Sequence, residues 1–143
     1  MTALSQDRNT PALTGDLRVA DVGASTMIYA GALIMRNATG FAVKGQTATG
    51  LVGIGRAEAR VDNSAGADGA VTVAYRPGTF RFDNSAGADE LTRADIGAVA
   101  YAVDDQTVAK THATNTRSPA GIVDGVDAQG VWIRFDEALT NAA

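Results

Sequence analysis

Leu51-Val-Gly-Ile-Gly-Arg-Ala-Glu-Ala-Arg-Val61 is the stretch whose reading decides the fold. Its odd positions, Leu51, Gly53, Gly55, Ala57, Ala59 and Val61, are small or apolar, and its even positions end in Arg56, Glu58 and Arg60. A two-residue period of this kind puts one set of side chains on each face of a strand. Further along, Val71, Val73 and Tyr75 alternate with Thr72, Ala74 and Arg76, a turn follows at Arg76-Pro77-Gly78, and Phe80 and Phe82 bracket Arg81. These three segments read as a meander. Before them, strands are expected near 17–20, 27–35 and 41–44, with Asn37-Ala-Thr-Gly40 as the turn between the last two. After them, Leu91-Thr-Arg-Ala-Asp-Ile96 reads as a short helix capped by Thr92. Val99, Tyr101 and Val103 then resume strand alternation. Segments 121–126 and 131–135 close the pattern, with Val131, Ile133 and Phe135 on one face and Trp132 and Arg134 on the other. Gly, Asn, Asp and Thr punctuate the whole chain and no long helical period interrupts it. The expected fold is mainly β: a small barrel or sandwich-like domain with one short helix at about 91–96. Closure into a barrel would hide the strand edges.

The chain's 143 residues suit one domain, able to bury a core without staples. It has no cysteine to supply them, and its single histidine, His112, excludes a multi-histidine zinc site within one chain. Twelve Lys and Arg stand against 16 Asp and Glu, a net charge of −4, which argues against a general nucleic-acid or anionic-membrane binder. The apolar windows at 27–35 and 96–103 are far shorter than the roughly 20 residues a membrane helix needs. The first residues lack the cationic start and apolar stretch of a signal peptide, so secretion by that route is not expected, and Asn37-Ala38-Thr39 reads as turn chemistry rather than a glycosylation acceptor. Residues 1–15 are polar, without alternation and interrupted by Pro11, and are expected to form an extended N-terminal arm. Residues 16–137 form the β domain and 138–143 a tail.

One motif occurs twice. Arg60-Val-Asp-Asn-Ser-Ala-Gly-Ala-Asp68 returns as Arg81-Phe-Asp-Asn-Ser-Ala-Gly-Ala-Asp89, changed only at Val61 against Phe82. Two local copies do not make a solenoid, so this is a repeated loop. If the three strands pair in order, the two loops leave the sheet on the same side about 10 Å apart, and Asp62, Asp68, Asp83, Asp89 and Glu90 crowd one end. An EF-hand would need Gly where Ala67 stands and Glu where Val73 stands. The preferred reading is therefore Asp and Asn side chains bonding their own turn amides, with Gly left-handed and no metal or cofactor.

Catalytic arrangements are incomplete. His112 lies in the polar stretch Lys110-Thr-His-Ala-Thr-Asn115, no G-x-S-x-G elbow presents a serine, and Gly50-Leu-Val-Gly53-Ile-Gly55 lacks the third glycine at the offset a dinucleotide fingerprint requires and runs inside a strand. No enzyme is expected. The meander would place Arg56, Arg60, Arg76 and Arg81 on one outward face with only Glu58 among them. That face is either a solubilising surface or an interface for carboxylates. Trp132, with Tyr75 or Tyr101, is the alternative: a stacking platform in a monomeric ligand- or carbohydrate-binding module.

Several stretches resemble the head decoration, or capsid cement, proteins of tailed bacteriophages. They are Ile28-Tyr-Ala-Gly-Ala-Leu33, Val52-Gly-Ile-Gly55, Val61-Asp-Asn-Ser-Ala-Gly-Ala-Asp-Gly69 leading into Val71-Thr-Val73, and Arg76-Pro-Gly-Thr-Phe80. Ala94-Asp-Ile-Gly97, Ala100-Tyr-Ala-Val-Asp-Asp-Gln-Thr-Val108, Asn115-Thr-Arg-Ser118, Ala120-Gly-Ile-Val123 and Gly130-Val-Trp-Ile133 continue the order. The likeness covers about residues 15–136 and lies in structural glycines and turns rather than in a chemical site. It implies a β-barrel-like domain, commonly trimeric, on the outside of the mature capsid, clamping neighbouring major capsid subunits against DNA pressure. Its partners would be the major capsid protein and itself, with neither nucleic acid nor membrane. Leu4, Arg8, Pro11 and Leu13 are the expected arm contacts, although a plain N-terminal tail fits these residues equally well.

Overall fold

The structure is a computed structural model that describes residues 2–10 and 16–143. Residues 2–10 are exposed and outside regular secondary structure. The strands are β1 (Arg18–Asp21), β2 (Thr26–Ile28), β3 (Leu33–Arg36), β4 (Ala42–Lys44), β5 (Val52–Ala57), β6 (Val61–Asn63), β7 (Thr72–Arg76), β8 (Thr79–Phe82), β9 (Val99–Ala102), β10 (Val108–Ala109), β11 (Pro119–Asp127) and β12 (Gly130–Arg134). The fold is mainly β and sandwich-like. One five-stranded sheet runs β1-β7-β5-β3-β4, a second runs β10-β9-β11-β12-β8, and β2 and β6 form a ribbon.

Three layers require a middle sheet buried on both sides, and β3 shows it. Leu33 and Met35 point into a core shared with Phe82, Val123, Val131, Ile133 and Phe135 of the second sheet. Ile34 points the other way, into a core with Ile54, Val73 and Tyr75 that Ile28 of the ribbon caps. Both cores are built from hydrophobic side chains, whose burial contributes about 25 cal/mol per Å² of apolar surface. The layers approach most closely at Gly53, where an added Cβ would lie 1.8 Å from the carbonyl oxygen of Ala120. Gly53 is thus a spacer that lets β11 cross β5 backbone to backbone, whereas a Cβ on Gly55 would strike the Arg76 carbonyl of β7. Beside them, the pairing of β3 with β5 shifts register between Ile34 and Met35. The shift explains why Ile54 and Ala57, of opposite parity in the sequence, share one core.

The meander does not form as expected. β5 pairs with β7, Arg56 opposite Arg76 and Ala57 opposite Tyr75, but β8 pairs with β12 in the other sheet. Pro77 and Gly78 (φ +152°) carry the chain across, so the turn is a passage between layers rather than a hairpin. The expected barrel is also corrected: neither sheet closes. Each curls until its two edges touch through one parallel bridge, Val22 with Ala42 in the first and Asp83 with Thr107 in the second. The expected strand at 27–35 is split into β2 and β3 by a turn at Gly31 (φ +83°). In β9 the buried residues are Ala100 and Ala102, with Val99 and Tyr101 half-buried, the reverse of what side-chain size suggests.

The segment at 91–96 holds only a 3-10 turn, Arg93–Asp95, in which the Thr92 amide and hydroxyl both donate to the Asp95 carboxylate. The expected tail is instead a short helix, α1 (Glu137–Ala142), whose first turn is capped by Asp136 accepting from the Leu139 amide at 3.0 Å.

Candidate functional site

The sheet-switch at Pro77 separates the four arginines. Arg56 and Arg76 stay together at the end of the first sheet, both paired with Glu58, at 2.7 and 3.3 Å. The Arg56 guanidinium also sits 4.2 Å from the centre of the Phe80 ring. These two hydrogen-bonded cations, Arg56 first, hold the Glu58 carboxyl below its ordinary range. Arg60 is exposed in the turn before β6, and Arg81 lies on the outside of the second sheet. The single arginine face is therefore corrected to three separate places.

That outer face of the second sheet is where the exposed chemistry collects. The ribbon of β2 and β6 covers the first sheet, but Thr79, Arg81, Asp124, Trp132 and Arg134 point outward from β8, β11 and β12 and are exposed. Trp132 is 38% exposed and stands opposite Arg81 on one side and Gly125 on the other. A Cβ on Gly125 would meet the indole in ordinary van der Waals contact, at 3.7 Å. The indole N–H donates to Asp127 at 2.9 Å, and the Arg81 guanidinium lies 5.6 Å from the ring centre. The indole bond, followed by the Gln129 and Gly130 amides, holds the Asp127 carboxyl below its ordinary range. Trp132 is thus held in orientation by groups on the two strands that flank β12, Asp127 of β11 and Arg81 of β8.

The other rings do not join it. Tyr75 is in the core, its hydroxyl accepting from Arg36 at 3.3 Å, and Tyr101 packs edge-on against His112 with ring centres 5.8 Å apart. The exposed aromatic that sequence reasoning missed is Tyr29, 55% exposed in the turn after β2.

The two copies of the repeat adopt different conformations and do different jobs. In the first, Asp62 accepts from the amide and hydroxyl of Ser64, an own-turn contact that holds its carboxyl low. Asn63 is buried and its amide donates to Gly23 and Ala67 carbonyls at 2.8 and 3.0 Å. Gly66 fits because a Cβ would strike that side chain, not because its backbone is left-handed. In the second copy Gly87 is left-handed (φ +64°), and Asn84 exchanges two bonds with the backbone of Leu91. The final aspartates reach other loops: Asp68 accepts from the Ala24 amide at 2.7 Å, and Asp89 from the Thr111 hydroxyl and, at 3.2 Å, from Arg117. The own-turn reading therefore holds for Asp62, not for Asp68 or Asp89. With β6 and β8 in different sheets the expected acidic end is not assembled, and among the described residues no three His, Asp or Glu side chains converge to hold a metal ion.

His112 belongs to the loop that Asp89 supports. Its Nδ1 accepts from the Asn115 amide at 2.8 Å and closes a turn in which Ala113, Thr114 and Asn115 are all left-handed (φ +48°, +57°, +60°). Among the described residues no serine or carboxylate bonds to the ring; the bond His112 makes is the one that closes this turn. Of the expected arm contacts, Leu4 (73% exposed) and Arg8 lie in the exposed segment, and Pro11 and Leu13 lie outside the described residues. No helix among the described residues is long and apolar enough to cross a membrane.

Comparison of the chain with protein-family models, with curated proteins and with solved structures returns no match.

Proposed function

We propose that this chain is a structural virion protein that binds the outside of a mature tailed-phage capsid and clamps neighbouring major capsid subunits. It acts without catalysis or cofactor, and as a trimer. The observation that supports this reading best is the outer face of the second sheet, where Trp132 stands fixed between Arg81 and Asp127. Trp and Arg dominate binding energy at protein interfaces, and an anchor already held in place loses little rotamer freedom on docking. The resemblance of the motif order to that of capsid cement proteins supports the major capsid protein as the partner. The carbohydrate-binding alternative wants several rings in a row, whereas Tyr75 is buried and Tyr101 is covered by His112.

The test is co-sedimentation of the purified chain with immature and expanded shells, with the bound copy number counted. Saturable binding to the expanded shell at a symmetric stoichiometry supports the reading, and Trp132→Ala is expected to weaken it by at least about tenfold, the effect of a strong interface anchor. Absence of binding to either shell overturns it.

A further inference from the structure

Arg36 is built as a receptor for a carboxylate. Its Nε and one terminal nitrogen fork onto the two oxygens of Glu137 at 2.8 and 3.3 Å, the geometry that guanidinium and carboxylate adopt when they bind face to face. What holds the fork does not come from α1. The other terminal nitrogen donates to the Gly40 carbonyl at 3.3 Å, and the nitrogen that bonds Glu137 also donates to the buried Tyr75 hydroxyl at 3.3 Å. Besides Glu137, the guanidinium is thus held by β7 and the turn before β4.

The ligand side is attached far less firmly. α1 spans only Glu137–Ala142, well below the roughly 12 residues at which a helix begins to hold itself together in water. Thr140 is its one buried residue, and the Thr140 hydroxyl has no hydrogen-bond partner there. Leu139, its large apolar side chain, points away and is 45% exposed. Grooves of about 590 and 450 Å³ run along the two sides of the helix and share Glu137 and Asn141 as their common wall. A short element, held by one ion pair and by its packing against β5 and β11 and flanked by grooves, meets a seat built from other parts of the domain.

We infer that the Arg36 seat is an exchange site between copies of this chain: α1 swings out about Asp136, and the Glu137 of a second copy takes its place on Arg36. The incoming helix fits by construction, since it makes the same contacts as the outgoing one. The swap thus changes the connectivity of the pair and not its chemistry. It requires nothing from the capsid reading, and the two can fail separately.

The test is charge-swap complementation on the full chain. Arg36→Glu alone sets two carboxylates against each other, and Glu137→Arg alone sets two guanidiniums, so each variant by itself has an ejected α1. Its Leu139 and Thr140 amides are expected to exchange with solvent at least about tenfold faster than in the wild type, while Ile133 stays protected and reports that the domain is folded. In an equimolar mixture each variant supplies the helix that the other's seat accepts, and the expected result is a mixed oligomer, detected by native mass spectrometry, in which the α1 amides regain the wild-type protection that neither variant shows alone. The double variant carrying both changes on one chain restores the pair internally and serves as the closed control. A mixture that remains monomeric, with Ile133 protected in both variants, overturns the inference. So does an α1 whose amides exchange no faster than Ile133 in either single variant.

Discussion

A Cβ on Gly53 would sit 1.8 Å from the Ala120 carbonyl oxygen, and both atoms belong to backbone that the two sheets hold on either side. Gly53→Ala is therefore expected to destabilise the fold by about 3 kcal/mol or more, read as a lower denaturant midpoint with an unchanged slope. The opposite sign is expected at Ala113. There the left-handed backbone (φ +48°) costs an L-residue about 1 kcal/mol, and Ala113→Gly should raise stability by roughly half that once the greater freedom of unfolded glycine is counted. Asp89 tests charge. The Thr111 hydroxyl, with Arg117 behind it, holds its carboxyl below the ordinary range. Because the folded state releases this proton more readily than the unfolded one, the contribution is present above the ordinary carboxylate range and disappears as pH falls through the folded value. Asp89→Asn should thus lower stability at neutral pH and leave a smaller further loss on acidification, measured as thermal midpoints across a pH series.

Elements show most clearly what could be read in advance. The β11–β12 hairpin was visible because Val131, Ile133 and Phe135 alternate cleanly with Trp132 and Arg134, and one face is indeed buried and the other exposed. The turn at Asn37 was visible because its side chain caps the amides of Thr39 and Phe41 locally. What stayed hidden depends on partners far away in the chain. Nothing near Phe80 or Phe82 says that β8 belongs beside β12, so the pairing of Arg81 with Trp132 was out of reach, although both residues had been singled out. The only local signal was Pro77-Gly78, which serves a hairpin and a crossing equally well. β9 differs for a related reason: its alanines, not its larger side chains, go inward to join the core of Leu33, Met35 and Phe82, which its own alternation does not reveal. α1 was missed because its six residues are too few to show a helical period; its signature was the cap, Asp136 followed by Glu137. Asp136→Ala should accordingly loosen α1 by about 1 kcal/mol, seen as faster amide exchange confined to 137–142.

At the scale of the molecule the carboxylates act together. Glu58, Asp62, Asp89, Asp95 and Asp127 are all held below their ordinary range by hydrogen bonds or cations, so each binds its proton more readily in the unfolded chain. The whole domain should lose stability progressively as pH drops below about 4, and high salt should blunt only the parts owed to Arg and Lys. The layered architecture was foreseeable in class but not in form, since a five-stranded sheet with one edge bridge lies between the open and closed alternatives that alternation can distinguish. Those two bridges carry a mechanical consequence. A complete hoop spreads a load over all its staves, whereas a split ring gives way at its gap. Each sheet here is a split ring whose gap is spanned at Val22–Ala42 or Asp83–Thr107, and the repeated motif stands at both, with Asn63 donating to Gly23 and Asp83 forming the second bridge itself. Under tension the domain would yield first at these two clasps, so the duplicated loop sets its elastic limit.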